Sequence, residues 1–239
     1  MFVVVTSLLA GCGACTEAPR APSLPTVGDV KRVLAEREQR LTSYRIVVDT
    51  TEGENVAHHE FWFRSPNKSR GHMTAPQEVE LAFDGSSLVR VLYPAKVVEP
   101  VPLDFPPAQR AFFLASTFMP FAPEGFRTPL LPTTGVEVSA AGAPGEVNVS
   151  VAPGQGVSVW YRLRWPSGDF LEKRTVSSGK ERRLTVLDEK CDAQLKLCVP
   201  VKLEEHLVGE DGGRELLGKT TVTEVELNLA LPQDFFSPK

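Results

Sequence analysis

The sequence predicts a mainly β fold of the α+β class, in which helices cover the concave face of a strongly curved antiparallel sheet, or incomplete β-barrel, of about eleven strands. Short runs of alternating apolar and polar residues follow one another from Ser43 onward, which is typical of half-buried strands. Turn-forming residues separate these runs at hairpin spacing, and only two stretches have helical character. With 239 residues, of which 42% are hydrophobic, the chain can bury this sheet as one domain.

The first helical stretch follows Asp29, a residue type that commonly caps helices. Apolar side chains recur at helical spacing at Val30, Val33, Leu34 and Leu41, and we expect this stripe to pack against the sheet. The charged side chains are predicted to occupy the other face of the helix: Lys31, Arg32, Glu36, Arg37, Glu38 and Arg40.

The predicted strands fall into two groups. The first group covers residues 44–51, 56–64, 68–73, 78–83, 88–93 and 96–98. The second group covers residues 136–138, 146–151, 157–165, 170–177, 183–187, 199–208 and 219–231. Because runs joined by tight turns pair as antiparallel neighbours, the first group is expected to form a meander.

The segment between the two groups is the most unusual part of the chain. Pro106 and Pro107 fit the first turn of a helix, residues 108–119 are apolar on nearly every side, and Pro120 ends the run. A helix this apolar cannot face water on all sides. We therefore expect it to insert into the concave side of the sheet or to lie over it.

An open barrel with an apolar lining is a natural pocket for an elongated apolar ligand. The candidate lining consists of side chains from the central hairpins and from the apolar helix: Phe61, Phe63, Leu81, Phe83, Val89, Val91, Phe112, Phe113, Leu114, Phe118 and Met119. The alternative is that these side chains form an ordinary filled core without a cavity, as apolar faces usually do.

The N terminus reads as an export signal. Residues 1–11 are apolar and end in small residues, and Leu9-Ala10-Gly11-Cys12 resembles the bacterial lipobox, which implies cleavage before Cys12 and lipid on its thiol. Residues 12–25 are rich in proline and are expected to form an extended tether to a domain at residues 26–239. The alternative is that the apolar run is the first strand of a soluble protein.

Cys191 and Cys198 lie at the two ends of a short connection between strand-like runs. A disulfide would close this hairpin in an oxidising compartment, whereas two thiols without a nearby histidine make a poor zinc site, so we favour the disulfide over metal binding. His58 and His59 are neighbours on a strand and point to opposite faces, so no metal site is expected there either.

Charge and motif content argue against two classes of function. The net charge is −4, both signs are dispersed and there is no basic block, so nucleic acid is not an expected partner. The sequence contains no nucleophile-elbow, phosphate-loop, zinc-protease or dinucleotide-binding motif. We therefore expect neither an enzyme nor a cofactor.

Several segments resemble the LolA/LolB lipoprotein-localisation factors. Residues 62–73, which read Trp-Phe-Arg-Ser-Pro-Asn-Lys-Ser-Arg-Gly-His-Met, are similar to a strand–turn–strand of that family, and so are the Asp84-Gly85 turn, the later Tyr93-Pro94 and the ending at 231–238. The resemblance implies an eleven-stranded half-barrel closed by helices, with a hydrophobic cavity for acyl chains or lipids. Arg64 or Arg70 would meet a lipid head group or control the lid at its mouth; alternatively, both are solvated strand charges.

Together, the lipobox and the resemblance imply a membrane-anchored lipid- or lipoprotein-binding factor of the bacterial envelope, acting in lipoprotein sorting or lipid transfer. Gly13 stands where an aspartate commonly retains lipoproteins at the inner membrane, which implies the outer membrane, facing the periplasm. Expected partners are acyl chains and the membrane, reached through lipidated Cys12. The alternative is an envelope sensor domain, like those of related sigma-factor regulators, with a protein partner and no lipid transfer. A purely structural envelope role is a third possibility.

Overall fold

The computed structural model describes residues 24–129, 131–154, 156–232 and 234–237. These residues form one antiparallel sheet of thirteen strands and two helices, so the predicted mainly β class is confirmed. The export signal, Cys12 and nearly all of the tether lie outside the described residues. Neither helix in the described part of the chain is long and apolar enough to cross a membrane.

The thirteen strands each coincide with a run predicted from the sequence. They are β1 (Ser43–Glu52), β2 (Asn55–Arg64), β3 (Lys68–Ala75), β4 (Val79–Phe83), β5 (Leu88–Leu92), β6 (Val97–Val101), β7 (Val136–Ala140), β8 (Glu146–Gly154), β9 (Val157–Arg164), β10 (Phe170–Ser177), β11 (Lys180–Asp192), β12 (Leu197–Val208) and β13 (Arg214–Leu227). The predicted total of about eleven was wrong, because even the short runs β6 and β7 form complete ladders with their neighbours.

Strand order explains where the rest of the chain must lie. The order is β6-β5-β4-β3-β2-β1-β13-β12-β11-β10-β9-β8-β7, so β1 and β13 pair in the middle while β6 and β7 form the two opposite edges. These edges are not paired with each other, so the sheet is open rather than a closed barrel. After Val101 the chain therefore has to pass from one edge to the other before β7 begins at Val136.

One face of the sheet, which we call the inner face, carries most of the core. Tyr44 lies opposite Phe63 on the neighbouring strand and Phe83 lies opposite Leu88, and alternate residues along each strand share a face. The buried residues of this part of the core form one cluster: Leu41, Tyr44, Ile46, Val48, Phe61, Phe63, Phe83, Leu88, Phe118, Phe121, Phe126, Leu197, Val199 and Val222.

Helix α1 (Val27–Arg40) covers another part of the core, over β8 to β12. Its N-cap is Thr26, whose hydroxyl accepts from the Asp29 amide while the Asp29 carboxylate accepts from the Thr26 amide. The helix therefore begins earlier than the predicted cap at Asp29. As predicted, its apolar stripe is buried: Val30 and Leu34 pack with Val147, Val149, Leu163, Phe170 and Leu203.

The opposite, outer face of β2 and β3 is covered by the C-terminal residues 229–232 and 234–237. The Phe235 ring lies 5.5 Å from that of Trp62, which alternation places on the outer face, and the neighbouring Phe236 is fully buried. At the start of this segment the Ser43 hydroxyl donates to the carbonyl of Leu229 at 2.7 Å. Both faces of this part of the sheet are thus covered by the chain itself.

Candidate functional site

The candidate site is the inner face of β1–β5 together with the segment that crosses it. We call residues 107–129 the cover; it consists of helix α2 (Pro107–Phe118) and the loop that follows. Three of its phenylalanine rings are buried against aromatic rings of the sheet, with centroids 5.3–5.8 Å apart: Phe118 on Phe61, Phe126 on Tyr44 and Phe121 on His59.

Gly71 on β3 makes the space that Phe121 occupies. A Cβ atom at this position would lie 2.6 Å from both Cδ1 and Cγ of the Phe121 ring, far inside an ordinary carbon–carbon contact. The backbone at Gly71 is not in the left-handed region, so this glycine is required for space rather than for conformation. The cover therefore presses directly onto the backbone of the sheet.

Most of the predicted lining residues meet on the inner face. Four of them are buried in the inner cluster, namely Phe61, Phe63, Phe83 and Phe118. Three more are partly buried and pack against its margin, namely Leu81, Phe113 and Leu114. Three of these seven side chains belong to α2, so the structure places this helix over the sheet, as predicted.

The structure places the other four predicted lining residues elsewhere. Val89 and Val91 alternate with Leu88 along β5, so they point to the outer face. Phe112 and Met119 belong to the cover but are 70% and 60% exposed. The apolar circumference of the helix did not reveal which of its sides would face the sheet.

The two arginines predicted at the mouth of a cavity are instead held by the C-terminal segment. A guanidinium nitrogen of Arg64 donates to the carbonyl of Leu231 at 3.1 Å. Arg70 donates to the carbonyl of Phe235 at 3.0 Å, pairs with Glu80 at 2.9 Å, and lies over the Phe235 ring. Since both side chains lie on the outer face, neither is placed to meet a ligand on the inner face.

The cover is attached unevenly. In residues 107–122, no described side chain forms a hydrogen bond or ion pair with the sheet, so this half is held by the packing of its rings. Beyond residue 122, Glu124 pairs with Lys173 on β10, and the carbonyl of Gly125 accepts a hydrogen bond from Arg37 at 2.6 Å. Residues 107–122 are therefore the half that can lift without breaking a polar contact to the sheet.

Arg37 connects the cover to the rest of the fold. Its side chain is only 2% exposed, donates also to the carbonyl of Cys198 at 3.1 Å, and lies 3.5 Å from the Asp169 carboxylate. Asp169 in turn accepts from the Cys198 amide at 3.0 Å. Burial lowers the pKa of Arg37 and the Asp169 carboxylate opposes that change. Sequence analysis placed Arg37 on the solvent side, yet it follows Val30 by seven residues, the spacing of the buried stripe.

Cys191 and Cys198 face each other across the β11–β12 hairpin, and the structure joins their sulfurs at 2.02 Å. The disulfide closes the hairpin next to the Arg37 contacts, because Cys198 supplies both a carbonyl for Arg37 and an amide for Asp169. The disulfide therefore stiffens the start of β12, which holds Arg37 and, through Arg37, residues 123–129 of the cover.

Two buried polar groups on the inner face have no hydrogen-bond partner among the described residues. They are the hydroxyl of Tyr44, whose side chain is 0% exposed, and both ring nitrogens of His59, which is 1% exposed. Burial lowers the pKa of His59 to about 4 and raises that of Tyr44, so both side chains are uncharged at neutral pH. An unpaired buried polar group is costly and calls for an explanation.

Two pockets lie away from this face. One of about 600 Å³ is lined by residues of α1 and of the neighbouring turns, among them Glu36, Arg40 and Lys196. The other, of about 260 Å³, lies among the ion pairs of β8–β11, beside Trp160 and Arg174. Among the described residues we find no group of three or more histidine, cysteine or acidic side chains that could hold a metal ion.

Comparison with known proteins gives a result only at the level of structure. No family model matches this sequence, and no curated protein matches it. A LolA superfamily protein from Nitrosomonas europaea matches with a TM-score of 0.52 over 87% of this chain and 97% of that one, at 10% identity. A candidate outer membrane lipoprotein-sorting protein domain from Vibrio parahaemolyticus matches with a TM-score of 0.52 over 86% and 95%, also at 10% identity.

This chain has a LolA-like fold. A DUF1329 family protein from Desulfovibrio piger matches it as well, with a TM-score of 0.51 over 90% of this chain and 98% of that one, at 8% identity. At such low identity the likeness shows the fold alone. The function of this LolA-like chain has to be argued from its own inner face and cover.

Proposed function

We propose that this protein is a membrane-anchored factor of the bacterial envelope that holds the acyl chains of lipids or lipoproteins between the inner face and the cover, in lipoprotein sorting or lipid transfer and without catalysis. The observation that carries the proposal is the uneven attachment of the cover. An aromatic face lies beneath a segment whose first half, residues 107–122, is held by apolar packing. An acyl chain can replace that packing with packing of the same kind.

In this proposal the sheet curves around the bound chains as an incomplete barrel, with residues 107–122 as its lid. Opening exposes mainly the rings of Phe118 and Phe121, because Phe126 lies next to the anchored Gly125. The β ladders stay intact, since no strand lies within the cover. The ligand-lining side chains are those that the structure brings together on the inner face: Phe61, Phe63, Leu81, Phe83, Phe113, Leu114 and Phe118.

The proposed location is the outer membrane, facing the periplasm, with lipid on Cys12. The lipobox supports the anchor, and the Cys191–Cys198 disulfide supports an oxidising compartment outside the cytoplasm. A Cys12→Ser variant is expected to leave the membrane fraction and to be recovered in soluble form. A variant that still sediments with membranes would contradict the anchor.

The experiment that tests lipid binding is native mass spectrometry, with lipid extraction, on a soluble form that begins at Thr16 and is purified from the periplasm without detergent. Co-purified lipid at a stoichiometric level is expected, and its mass identifies its class. A clean apo mass together with no uptake of a fluorescent fatty acid would refute the proposal.

Two adjacent phenylalanines of α2 provide a matched pair of variants for the lid. Phe113 packs against the inner cluster and lies 5.0 Å from Phe105, whereas Phe112 is 70% exposed. Phe113→Asp should lower the free energy of unfolding and change the uptake of a hydrophobic probe, while Phe112→Asp should change neither. Equal behaviour of the two variants would show that α2 does not act as a lid through this side.

A second candidate function is supported by the same packing. The rings of Phe118, Phe121 and Phe126 fill the inner face, as expected of a core that never opens. The protein would then be an envelope sensor or interaction domain that binds a protein partner and transfers no lipid. An apo mass combined with a stable, closed cover would favour this function.

A further inference from the structure

We propose that Tyr44 and Arg127 form the polar end of the acyl site and bind the carboxylate or phosphate oxygens at the head of an acyl chain. The Tyr44 hydroxyl donates a hydrogen bond to these oxygens, and the Arg127 guanidinium forms an ion pair with them. This inference rests on the proposed function and deepens it, because it names the ligand as an anionic amphiphile rather than any apolar molecule.

The first observation is the unsatisfied Tyr44 hydroxyl. It is fully buried on the inner face and has no hydrogen-bond partner among the described residues. The centre of the Tyr44 ring lies 5.2 and 5.3 Å from the centres of the Phe63 and Phe126 rings. Phenylalanine would fill the same space without leaving a polar group unpaired. Because burial also raises the pKa of Tyr44, the hydroxyl stays protonated and is available as a donor.

The second observation is a cation next to it. Arg127 belongs to the cover, one residue after Phe126, and its guanidinium carbon lies 5.2 Å from the centre of the Phe63 ring. Its positive charge partly opposes the rise in the pKa of the Tyr44 hydroxyl that burial causes. Within the described part of the chain, no hydrogen bond and no ion pair engages this guanidinium, whereas Arg37, Arg64 and Arg70 are all engaged. Its donors are thus available to an anion.

Arg127 stays in place when the lid half of the cover lifts. Gly125 is held by Arg37 and packs so closely against Pro200 and Phe170 that a Cβ atom there would lie 2.9 and 3.0 Å from their side chains. Arg127 follows this anchor by two residues. The head group can therefore sit beside Arg127 at the half-buried margin while the tail takes the space that Phe121 and Phe118 vacate.

The two unsatisfied groups of the inner face are not equivalent. Tyr44 lies opposite Phe63, four residues along β2 from His59, which is about 13 Å at the rise of a strand. His59 lies beneath Phe121, at the end that opens, and the cation acts at the Tyr44 end. We therefore place the negative head group at Tyr44 and the tail toward His59.

The test uses the full chain carrying Cys12→Ser, purified without detergent. A fluorescent apolar probe is bound between the inner face and the cover, and its displacement by competitors is measured. Palmitate, hexadecyl phosphate and hexadecanol are compared as competitors, since they share a C16 chain and differ in the head group. The unmodified inner face is expected to bind both anions more tightly than the alcohol. Preference for palmitate over hexadecyl phosphate assigns a carboxylate ligand, and the reverse assigns a phosphate ligand.

Arg127→Gln should weaken palmitate and hexadecyl phosphate by about tenfold and leave hexadecanol unchanged, because it removes only the charged pair. Tyr44→Phe should weaken all three competitors, because the alcohol also loses a donor. Arg214→Gln, which removes an exposed positive charge from the start of β13, is the matched control and should change none of them.

Three outcomes separate the inferences. Unchanged binding of both anions in Arg127→Gln and of all three competitors in Tyr44→Phe, while the probe still binds, overturns the polar end but leaves the acyl site standing. Equal weakening by Arg214→Gln shows that general charge attraction is responsible, and it also overturns the polar end. If no probe enters any of these proteins, the proposed function itself fails.

Discussion

The contact between Gly71 and Phe121 gives the sharpest test of how the cover is seated. A Gly71→Ala substitution adds one methyl group at a point where its carbon would lie 2.6 Å from two atoms of the Phe121 ring and 2.9 Å from a third. Carbon atoms in contact normally lie about 3.5–4.0 Å apart. The ring must therefore retreat by about 1 Å or leave its site.

The size of the effect follows from the two ways of relieving this clash. Overpacking a well-filled core usually costs about 1–3 kcal/mol, and expelling the Phe121 ring forfeits roughly 1.5–3 kcal/mol of burial. The structure should relax in whichever of these two ways costs less free energy, so Gly71→Ala should lower the free energy of unfolding by about 1–3 kcal/mol. In a domain of this size each kcal/mol lowers Tm by about 2–4 °C.

The assay is denaturant unfolding of Gly71→Ala beside Gly142→Ala, a glycine with ordinary backbone angles and open space around its Cβ position. In a Phe121→Ala background, the Gly71→Ala cost should disappear to within about 0.5 kcal/mol, because the clashing ring is absent. If Gly71→Ala is as neutral as Gly142→Ala, or if its cost persists without the ring, the reasoning is refuted.

Three further predictions concern the support of the cover. Asp169→Ala leaves the buried Arg37 charge unpaired and should cost about 3–5 kcal/mol in unfolding free energy, whereas Asp169→Asn, which keeps an acceptor, should cost less; equal losses would contradict the ion-pair argument. Replacing Cys191 and Cys198 together by serine should cost about 2–3 kcal/mol relative to the oxidised wild type, and the reduced wild type should match the variant; a variant as stable as the oxidised protein would contradict this. The pKa of His59 is about 4 in the folded protein against 6.5 in the unfolded chain, so the unfolded state binds more protons between these values. Stability should therefore be constant above pH 6.5 and fall by about 3 kcal/mol as the pH drops to 4, a slope that His59→Leu should remove.

Strand identity and fold class could be predicted because they are written in local patterns. Period-two alternation and turn residues located all thirteen strands, even though their total was underestimated. Boundaries were less accurate: β11 extends to Asp192, well beyond the apolar run that was recognised, because its last residues are charged and pair across the hairpin. Hairpin pairing, which extends β11, depends on a partner strand that local composition does not reveal.

The site was only partly predictable because it depends on contacts between distant parts of the chain. Which side of α2 faces the sheet, and hence whether Phe112 or Phe113 is buried, is set by the path between the two edge strands. The pairing of Gly71 with Phe121 has no local signature either. Arg37 is different, since its place in the helical repeat pointed inward and its charge obscured that signal.

Topology and energetics together indicate which ligands could open the cover. Because β6 and β7 lie at opposite edges, the chain has to pass from one edge to the other. The connecting segment packs on the inner face, and its described residues form no strand. Lifting the lid half exposes the rings of Phe118 and Phe121, at about 1.5–3 kcal/mol each, or roughly 3–6 kcal/mol in all. Each buried methylene returns about 0.8 kcal/mol, so roughly four to eight methylenes are needed before an acyl chain offsets the opening. If the proposed function holds, ligands with shorter chains should leave the cover closed, whereas the long chains of membrane lipids exceed the requirement by a wide margin.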